Sequence, residues 1–251
     1  MELLAYLPLL LVVALATYAQ TITGFAFGLI FMAGVVLLGI APVALGAILI
    51  SILSLFNCVV ALWRKRANLD RQVVLLSTLS GLVTVFLGVW ALNALSGDYV
   101  GWLQVILGVA IIVSSMMLVR HPKPRRSRSP RWTFALFGGL SGFMGGMFST
   151  SGPPLVFHLY RQPLSHAAIR DCLLLIFAIN CLQRLLIVGV QGDITLDVLV
   201  LAGLSIPVVL LFTWLGRQYP PPLSARSIRR VAFVLLLGSG VSLCLSGLRG
   251  M

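Results

Sequence analysis

Long apolar segments with almost no charge recur along the whole chain, and they restrict its fold more than any other feature. A helix needs about 20 apolar residues to cross the hydrocarbon core of a bilayer, which is about 30 Å thick. The chain has 251 residues, of which 59% are hydrophobic and only 10% are charged, whereas soluble domains are about a quarter charged. Segments of this length predict an all-α polytopic membrane protein.

The apolar segments fall into two kinds. Six have the length of complete membrane spans: 43–62, 72–95, 100–119, 166–189, 195–215 and 228–248. Two further regions, 3–40 and 132–160, are interrupted by glycine and polar residues. These interrupted regions are the places where a binding site is expected, because broken backbone at membrane depth must be buried in protein or line a polar cavity.

The second interrupted region contains the most unusual stretch of the chain, from Gly138 to Pro154. Five glycines are followed there by Ser-Thr-Ser-Gly-Pro-Pro, and tandem proline cannot continue a helix. The piece after it, 155–160, is too short to cross a bilayer at about 1.5 Å per residue. We therefore predict that 132–160 is a helical hairpin that enters from the cytoplasm and returns to it. The alternative for the glycines is close helix packing.

The two halves of the chain resemble each other. Residues 23–28 match 141–146 at an offset of 118, and the Asn-Cys pair at 57–58 recurs at 180–181. By this symmetry, 3–40 forms a second hairpin, which enters from outside. A complete span over residues 3–22 is the alternative that hydropathy leaves open.

Charge predicts the orientation of the chain. The net charge is +12, and the basic residues cluster in loops 63–71, 120–131 and 216–230, which the positive-inside rule places in the cytoplasm. This rule explains the charge better than a nucleic-acid partner does, and the same loops are candidates for anionic-lipid contact. The loops that carry Asp98 and Asp193 are predicted to lie outside. Equivalent loops of the two halves then lie on opposite sides of an inner (plasma) membrane.

These observations predict two inverted repeats, each a broken or re-entrant helical hairpin plus three transmembrane helices. The first repeat is 1–119, a basic cytoplasmic linker follows at 120–131, and the second repeat is 132–251.

The order and duplication of these motifs resemble the TauE/SafE family of membrane transporters. The resemblance covers nearly the whole chain and rests on Gly24–Gly28 with Pro42, Gly142–Gly146 running into Ser151–Pro154, and the in-helix asparagines Asn57 and Asn180. It implies export of sulfite and related organosulfur anions such as sulfoacetate. Ala26 and Phe27 depart from the usual glycine-richer first repeat, which affects the expected substrate more than the fold.

We predict that the tips of the two hairpins form the anion site. Backbone N–H groups at half-helix ends attract anions, and hydroxyl groups donate to oxyanion oxygens. The predicted tip residues are Thr21, Thr23, Gly24, Phe25, Ser149, Thr150, Ser151, Gly152 and Pro153.

Three further residues are candidates for this site, each with an alternative. Asn57 and Asn180 either face the substrate or make inter-helix hydrogen bonds, worth about 0.6 kcal/mol on average in membranes. Arg184 lies about 10 Å below the end of its helix. It either attracts the anion or extends its side chain to the interface.

No acidic residue falls in the middle of a predicted span, so the sequence predicts no buried proton relay. A negative-inside potential favours anion exit by about 2.3 kcal/mol per charge per 100 mV, which predicts a potential-driven exporter without cofactor or metal. A homodimer is one candidate assembly.

Other classes remain as alternatives. An intramembrane serine hydrolase would use Ser151 with His158 or His166 as base. An uptake permease for another small anion would need a coupling ion. A non-transporting scaffold leaves the duplicated breaks unexplained, and a cation permease lacks buried acids.

Overall fold

The computed structural model describes residues 6–39, 41–63, 69–95, 99–119, 125–151 and 153–219, with 237–238, 240–242 and 244–248 near the end. Gly152 of the predicted site lies outside the described residues. The same holds for Asp98, for most of the basic loop 216–230 and for most of the last predicted span, 228–248.

The described part of the chain is helical, with short connections between the helices. In chain order the helices are α1 (Leu7–Thr23), α2 (Phe27–Leu37), α3 (Val43–Leu62), α4 (Arg71–Leu95), α5 (Val100–Val119), α6 (Arg131–Phe148), α7 (Pro153–Tyr160), α8 (His166–Gln191) and α9 (Leu196–Gln218). Four of them, α3, α4, α8 and α9, are long and apolar enough to cross a membrane. The all-helical membrane fold predicted from the sequence is therefore confirmed.

Both interrupted regions fold as helical hairpins. In the second hairpin, Thr133 Oγ1 near the start of α6 lies 3.1 Å from His158 Nε2 near the end of α7, so the chain returns to the end from which it came. In the first, α2 runs back along α1, and a Cβ added at Gly34 would lie 2.6 Å from Val12 Cγ1. The helix α7 has eight residues, which agrees with the predicted short arm.

The long arm α1 nearly matches a spanning helix in length. It has 17 residues, about 25 Å at the helical rise, and its last turn lies beside the last turn of α9. There, the Tyr18 hydroxyl donates to the Tyr219 carbonyl at 2.8 Å, and Thr21 Cβ would be 3.1 Å from a Cβ at Gly216.

The second hairpin is held by a backbone-to-backbone contact between α6 and α4. A Cβ at Gly146 would lie 2.2 Å from the Val85 carbonyl oxygen, and one at Gly142 would lie 2.7 Å from Gly81 Cα. No side chain fits at such distances. These glycines therefore serve close helix packing, the alternative to a binding role that the sequence left open. We call this contact the glycine seam; its glycines are Gly81, Gly88, Gly138, Gly142 and Gly146.

The start of α4 is tied to the basic linker through Asp70. Its Oδ1 accepts from the Val73 N–H at 3.1 Å, which caps the helix, and its Oδ2 accepts from the Arg128 guanidinium at 2.5 Å. Burial alone raises the pKa of Asp70, but the hydrogen bonds from Arg128 and Val73 and the charge of Arg128 outweigh burial and lower the pKa below its ordinary value.

We expect Asp70 to stabilise the folded protein above about pH 4, because a lowered pKa means a contribution that is complete above the unfolded value of about 3.9 and is lost as the pH falls through the folded value. Asp70→Asn should lower the melting temperature in detergent at pH 7 by up to about 4 °C. Asparagine still caps the helix, so the loss is that of the partly exposed ion pair with Arg128, which is worth about 0.2–1 kcal/mol. That deficit should shrink below pH 4. The control is Asp197→Asn at an exposed position; equal deficits at pH 7 and pH 3 would contradict this role.

Candidate functional site

The breaks of the two hairpins meet in one narrow cleft between the halves of the chain. Its empty space, counted together with its open mouth, is about 320 Å³. One part of the wall is polar and another is aromatic. The lining residues are Gln20, Phe25, Ala26, Phe27, Gly28, Leu29, Ser54, Ser149, Thr150, Ser151, Phe177 and Cys181.

The first break is shaped by two residues with positive φ. Gly24 ends α1 with φ +82°, and its N–H donates to the Gln20 carbonyl at 2.7 Å. A Cβ at Gly24 would lie 3.0 Å from Arg170 Cα at the start of α8, so both conformation and space require glycine there. Ala26 has φ +74°, an unusual conformation for a residue with a side chain. The backbone thus reverses within three residues and enters α2.

The second break begins at Ser149, which ends α6 with φ +53°. Its hydroxyl donates to the Ala47 carbonyl at 2.8 Å and lies 2.5 Å from Ser51 Oγ. These bonds fix the second break against α3, in the other half of the chain.

The two breaks touch each other directly at Gly28. A Cβ at this position would lie 2.8 Å from the Ser149 carbonyl oxygen and 2.8 Å from Thr150 Cγ2. A larger residue at Gly28 would therefore separate the breaks. The recurrent glycine of the first motif is explained by this close approach.

The start of α2 supplies free hydrogen-bond donors to the cleft. Among the described residues, no partner is found for the backbone N–H groups of Gly28 and Leu29, which belong to the first turn of the helix. The helix dipole adds positive potential at this end. None of the residues lining the cleft carries a carboxylate, so an anion there would meet no like charge from the wall.

Arg184 is fully buried, with only 1% of its surface exposed, so its side chain does not extend to the interface. Its Nε donates to the Gly146 carbonyl at 2.9 Å, and its Nη1 donates to Ser51 Oγ at 3.2 Å. The Gly146 carbonyl is among the last of α6, where intrahelical partners are missing and the helix dipole is negative. Arg184 thus anchors the end of α6 to α3.

Asn57 and Asn180 occupy different environments, although they are equivalent in the repeat. Asn57 Nδ2 donates to the Gln20 side chain at 2.9 Å, and its Oδ1 lies 2.9 Å from Thr21 Oγ1 and 3.0 Å from Thr213 Oγ1. Asn57 therefore makes inter-helix hydrogen bonds, the alternative to substrate contact that the sequence left open. Asn180 donates to Ser151 Oγ at 3.3 Å, while its buried Oδ1 has no partner.

The structure brings some of the predicted site residues to the cleft and others behind it. Phe25, Ser149, Thr150 and Ser151 line the cleft. The predicted residues that do not line it are Thr21, Thr23, Gly24, Asn57, Pro153, Asn180 and Arg184. The hydroxyl of Thr23 is occupied within its own hairpin, where it lies 2.7 Å from the Ala19 carbonyl oxygen. Their roles in binding remain predictions.

Sequence reasoning did not place eight of the lining residues in the site: Gln20, Ala26, Phe27, Gly28, Leu29, Ser54, Phe177 and Cys181. Ser54 could have been found from the sequence. It lies three residues before Asn57 and four before Cys58, so it is a neighbour of both on the surface of α3. Gln20 is polar in a largely apolar arm, but nothing in the sequence shows which helix it faces.

His158 cannot act on Ser151 in this arrangement. Its ring is stacked on Phe137, with centroids 4.5 Å apart, and its Nε2 lies beside Thr133 Oγ1 at 3.1 Å. It therefore lies at the far end of α7, about 10 Å along the helix from the second break. The geometry does not support a serine–histidine pair.

Comparison with known proteins assigns the family. The family model described as "Sulfite exporter TauE/SafE" matches residues 9–243. The chain belongs to the TauE/SafE family. It is 40% identical over 242 residues to the "Probable sulfite/organosulfonate exporter TauE" of Cupriavidus necator, covering 95% of this chain and 94% of that protein. It is 28% identical over 166 residues to the "Probable inner membrane transporter protein TsaS" of Comamonas testosteroni, covering 64% and 66%. No solved structure matches the chain.

Membership of the TauE/SafE family makes the chain a membrane transporter and not an enzyme. The serine hydrolase alternative is dropped on this ground as well as on the position of His158. The resemblance found in the sequence motifs is confirmed.

Proposed function

We propose that this TauE/SafE protein exports a small sulfur-containing anion, such as sulfite, thiosulfate or an organosulfonate, and that the anion binds in the cleft between the two hairpin breaks. The single observation that carries this proposal is the composition of the cleft. Thr150 and Ser151 of the second break line the cleft with hydroxyl groups, while the Ser149 hydroxyl already donates to the Ala47 carbonyl. Gly28 and Leu29 of the first break add two N–H groups that have no partner among the described residues, and no lining residue carries a carboxylate. Such a wall suits an oxyanion and disfavours a cation.

The choice of sulfur anions is supported by the relatives. The Cupriavidus necator protein, which is similar over nearly its whole length, carries sulfite and organosulfonate in its name. The aromatic part of the cleft, formed by Phe25, Phe27 and Phe177, gives an apolar surface against which the carbon chain of an organosulfonate can pack. The hydroxyl groups then face its sulfonate.

The pairing of helices supports two inverted repeats, 1–119 and 132–251, joined by the linker 120–131. The long arm α1 packs on α9, and the long arm α6 packs on α4. Each arm therefore contacts the second complete span of the opposite half. The equivalent helices α3 and α8 contact each other. Such reciprocal contacts are expected when the two halves are related by a two-fold axis in the membrane plane, the arrangement of alternating-access transporters.

The outward direction and the driving force follow from charge. With the basic loops 63–71, 120–131 and 216–230 in the cytoplasm of an inner-membrane protein, a negative-inside potential favours anion exit by about 2.3 kcal/mol per charge per 100 mV. Among the described residues, the cleft offers no carboxylate for proton coupling. We therefore propose export without a coupling ion.

Lipid is the second partner that we propose. Arg125, Arg126 and Arg128 are exposed in the linker, where they can bind anionic headgroups on the cytoplasmic side. A homodimer stays a prediction from the sequence.

Charge movement in proteoliposomes tests this function. Rapid addition of sulfite, thiosulfate or sulfoacetate to the purified protein should give a current of the sign expected for anion entry, while sulfate and chloride serve as comparison anions. We expect Ser151→Ala to lower the apparent affinity about tenfold, because a hydrogen bond to a charged group is worth about 1.5–3 kcal/mol. Thr23→Val is the companion variant, since Thr23 lies at the first break but outside the cleft wall.

Two outcomes would count against the proposal. Silence for every anion, with protein that melts cooperatively, would exclude potential-driven transport and favour electroneutral coupling or another substrate. Unchanged flux in both Ser151→Ala and Thr23→Val would exclude the break as the site.

A further inference from the structure

Gln20 is the polar side chain of α1 that reaches the cleft. It is 2% exposed and lines the cleft opposite the residues of the second break. Its side-chain nitrogen lies 2.9 Å from Ser54 Oγ and 3.5 Å from Cys58 Sγ. An uncharged amide in a buried cleft can present either its oxygen or its nitrogen to a ligand, and only the nitrogen donates hydrogen bonds.

The neighbours of Gln20 determine the positions of its amide oxygen and amide nitrogen. The Thr17 carbonyl oxygen can only accept, so the Asn57 atom that lies 3.3 Å from it must be the Nδ2 group. The same Nδ2 lies 2.9 Å from the Gln20 side chain, which must therefore offer its oxygen there. The nitrogen of Gln20 is thereby turned towards Ser54 and Cys58.

One of the two hydrogens on the Gln20 nitrogen is available for exchange. It is the hydrogen that lies towards Ser54, because Ser54 lines the cleft whereas Cys58 is fully buried outside its lining. Ser54 Oγ also lies 3.2 Å from Gln20 Oε1, to which it can donate, so Ser54 keeps a partner when the Gln20 nitrogen binds a ligand. A hydrogen bond to an ionised oxygen is about twice as strong as one between neutral groups. An anion in the cleft would therefore compete well for this donor. Gln20 would complete, from the first hairpin, the set of donors that the second break presents.

We propose that Gln20 is a substrate-binding residue that donates to the transported anion, and that Asn57 orients it for this purpose. The inference deepens the proposed function and rests on it. It also gives Asn57 a part in the site without contact with the substrate. The amide is fixed from behind by Asn57, so a donor, and not an acceptor, faces the anion.

Gln20→Glu tests this directly, because it keeps the shape of the side chain and replaces its donor with an ionisable acid. The measurement is the KM for the anion that gives the largest wild-type current, taken from pH 5.5 to pH 9 in both proteins. At acidic pH the neutral carboxyl still has an O–H donor; at alkaline pH the carboxylate repels the anion. We expect the ratio of variant to wild-type KM to rise at least tenfold across this range. The variant and the wild type are compared at the same pH. Any effect of pH on the substrate, or on groups that both proteins share, such as the thiols of Cys58 and Cys181, therefore cancels from the KM ratio.

A second variant and a control keep the outcome unambiguous. Gln20→Met removes the donor at similar volume and should raise KM about tenfold at every pH, even if Gln20→Glu does not fold. Gln191→Glu adds the same charge at an exposed position and should leave KM within twofold of wild type.

Three results separate the inference from the proposed function. A wild-type current with unchanged KM in Gln20→Met overturns the role of Gln20 and leaves the exporter in place. A KM ratio for Gln20→Glu that does not change with pH also overturns it, because purely structural damage has no such dependence. Absence of any wild-type current contradicts the proposed function itself.

Discussion

Gly146→Ala should lower the melting temperature of the detergent-solubilised protein by about 2–12 °C. The added methyl group would lie 2.2 Å from the Val85 carbonyl oxygen and 2.9 Å from Gly88 Cα. Both contacts are with backbone, which cannot rotate away as a side chain can. The helices α4 and α6 must therefore move apart. Overpacking of this kind costs about 1–3 kcal/mol or more, and each kcal/mol corresponds to about 2–4 °C in a chain of this size.

The loss should extend from stability to transport. The Gly146 carbonyl accepts from Arg184, and the second break begins three residues later, at Ser149. Separation of α4 from α6 therefore moves the wall of the cleft as well as the glycine seam.

Gly139→Ala provides a matched control on the same helix. A Cβ at Gly139 would lie 3.6 Å from Thr84 Cγ2, which is an ordinary van der Waals distance. Its melting temperature should stay within about 2 °C of wild type, since alanine also favours the helix. Equal melting temperatures for Gly146→Ala and Gly139→Ala would contradict the glycine seam.

Arg184→Gln should reduce transport, measured as the ratio of turnover to KM, at least about 100-fold. Each hydrogen bond from a charged donor is worth about 1.5–3 kcal/mol, and 1.4 kcal/mol is a factor of ten. The substitution removes the donors to Gly146 and Ser51. It also removes the positive charge at the negative end of α6. Among the described residues, the second break is then held to α3 only by the hydrogen bonds of Ser149 to Ala47 and Ser51.

Arg184→Lys distinguishes the two roles of this residue. If the positive charge alone attracts the anion, lysine should restore most of the transport. A lysine is a point donor and does not reproduce the planar fork that reaches two acceptors at once. We expect a loss of about tenfold, which would assign one factor of ten to the two-acceptor anchor and the rest of the Arg184→Gln effect to the positive charge.

The control for both variants is Arg126→Gln, at an exposed arginine of the basic linker. Transport by this variant should stay within about twofold of wild type, because exposed charges are screened at physiological salt. Wild-type transport by Arg184→Gln would contradict both the anchor and the attraction of the anion.

Much of the fold follows from the sequence because bilayer insertion imposes simple local rules. Segment length and hydropathy predicted the long helices α3, α4, α8 and α9, and glycine and tandem proline marked where the hairpins break. The short arm α7 follows from helix rise alone. These properties depend on composition over one or two turns, so the sequence expresses them directly.

Only the tertiary structure decided which side chains meet in the cleft. Gln20 and Thr21 are neighbours in α1, yet Gln20 lines the cleft and Thr21 lies behind it, against Asn57 and α9. In an apolar helix surrounded by lipid and protein, hydropathy does not distinguish the face towards the partner from the face towards the site.

The sequence by itself determined that this protein is a helical membrane transporter with two broken hairpins. It did not determine that Arg184 anchors a helix end, or that the glycines of α6 match those of α4. The physical reason is that these contacts join residues far apart in the chain, such as Ser51 and Arg184. Helix-to-helix packing in lipid is set by shape and hydrogen bonding between such partners, and neither property can be read from one segment alone.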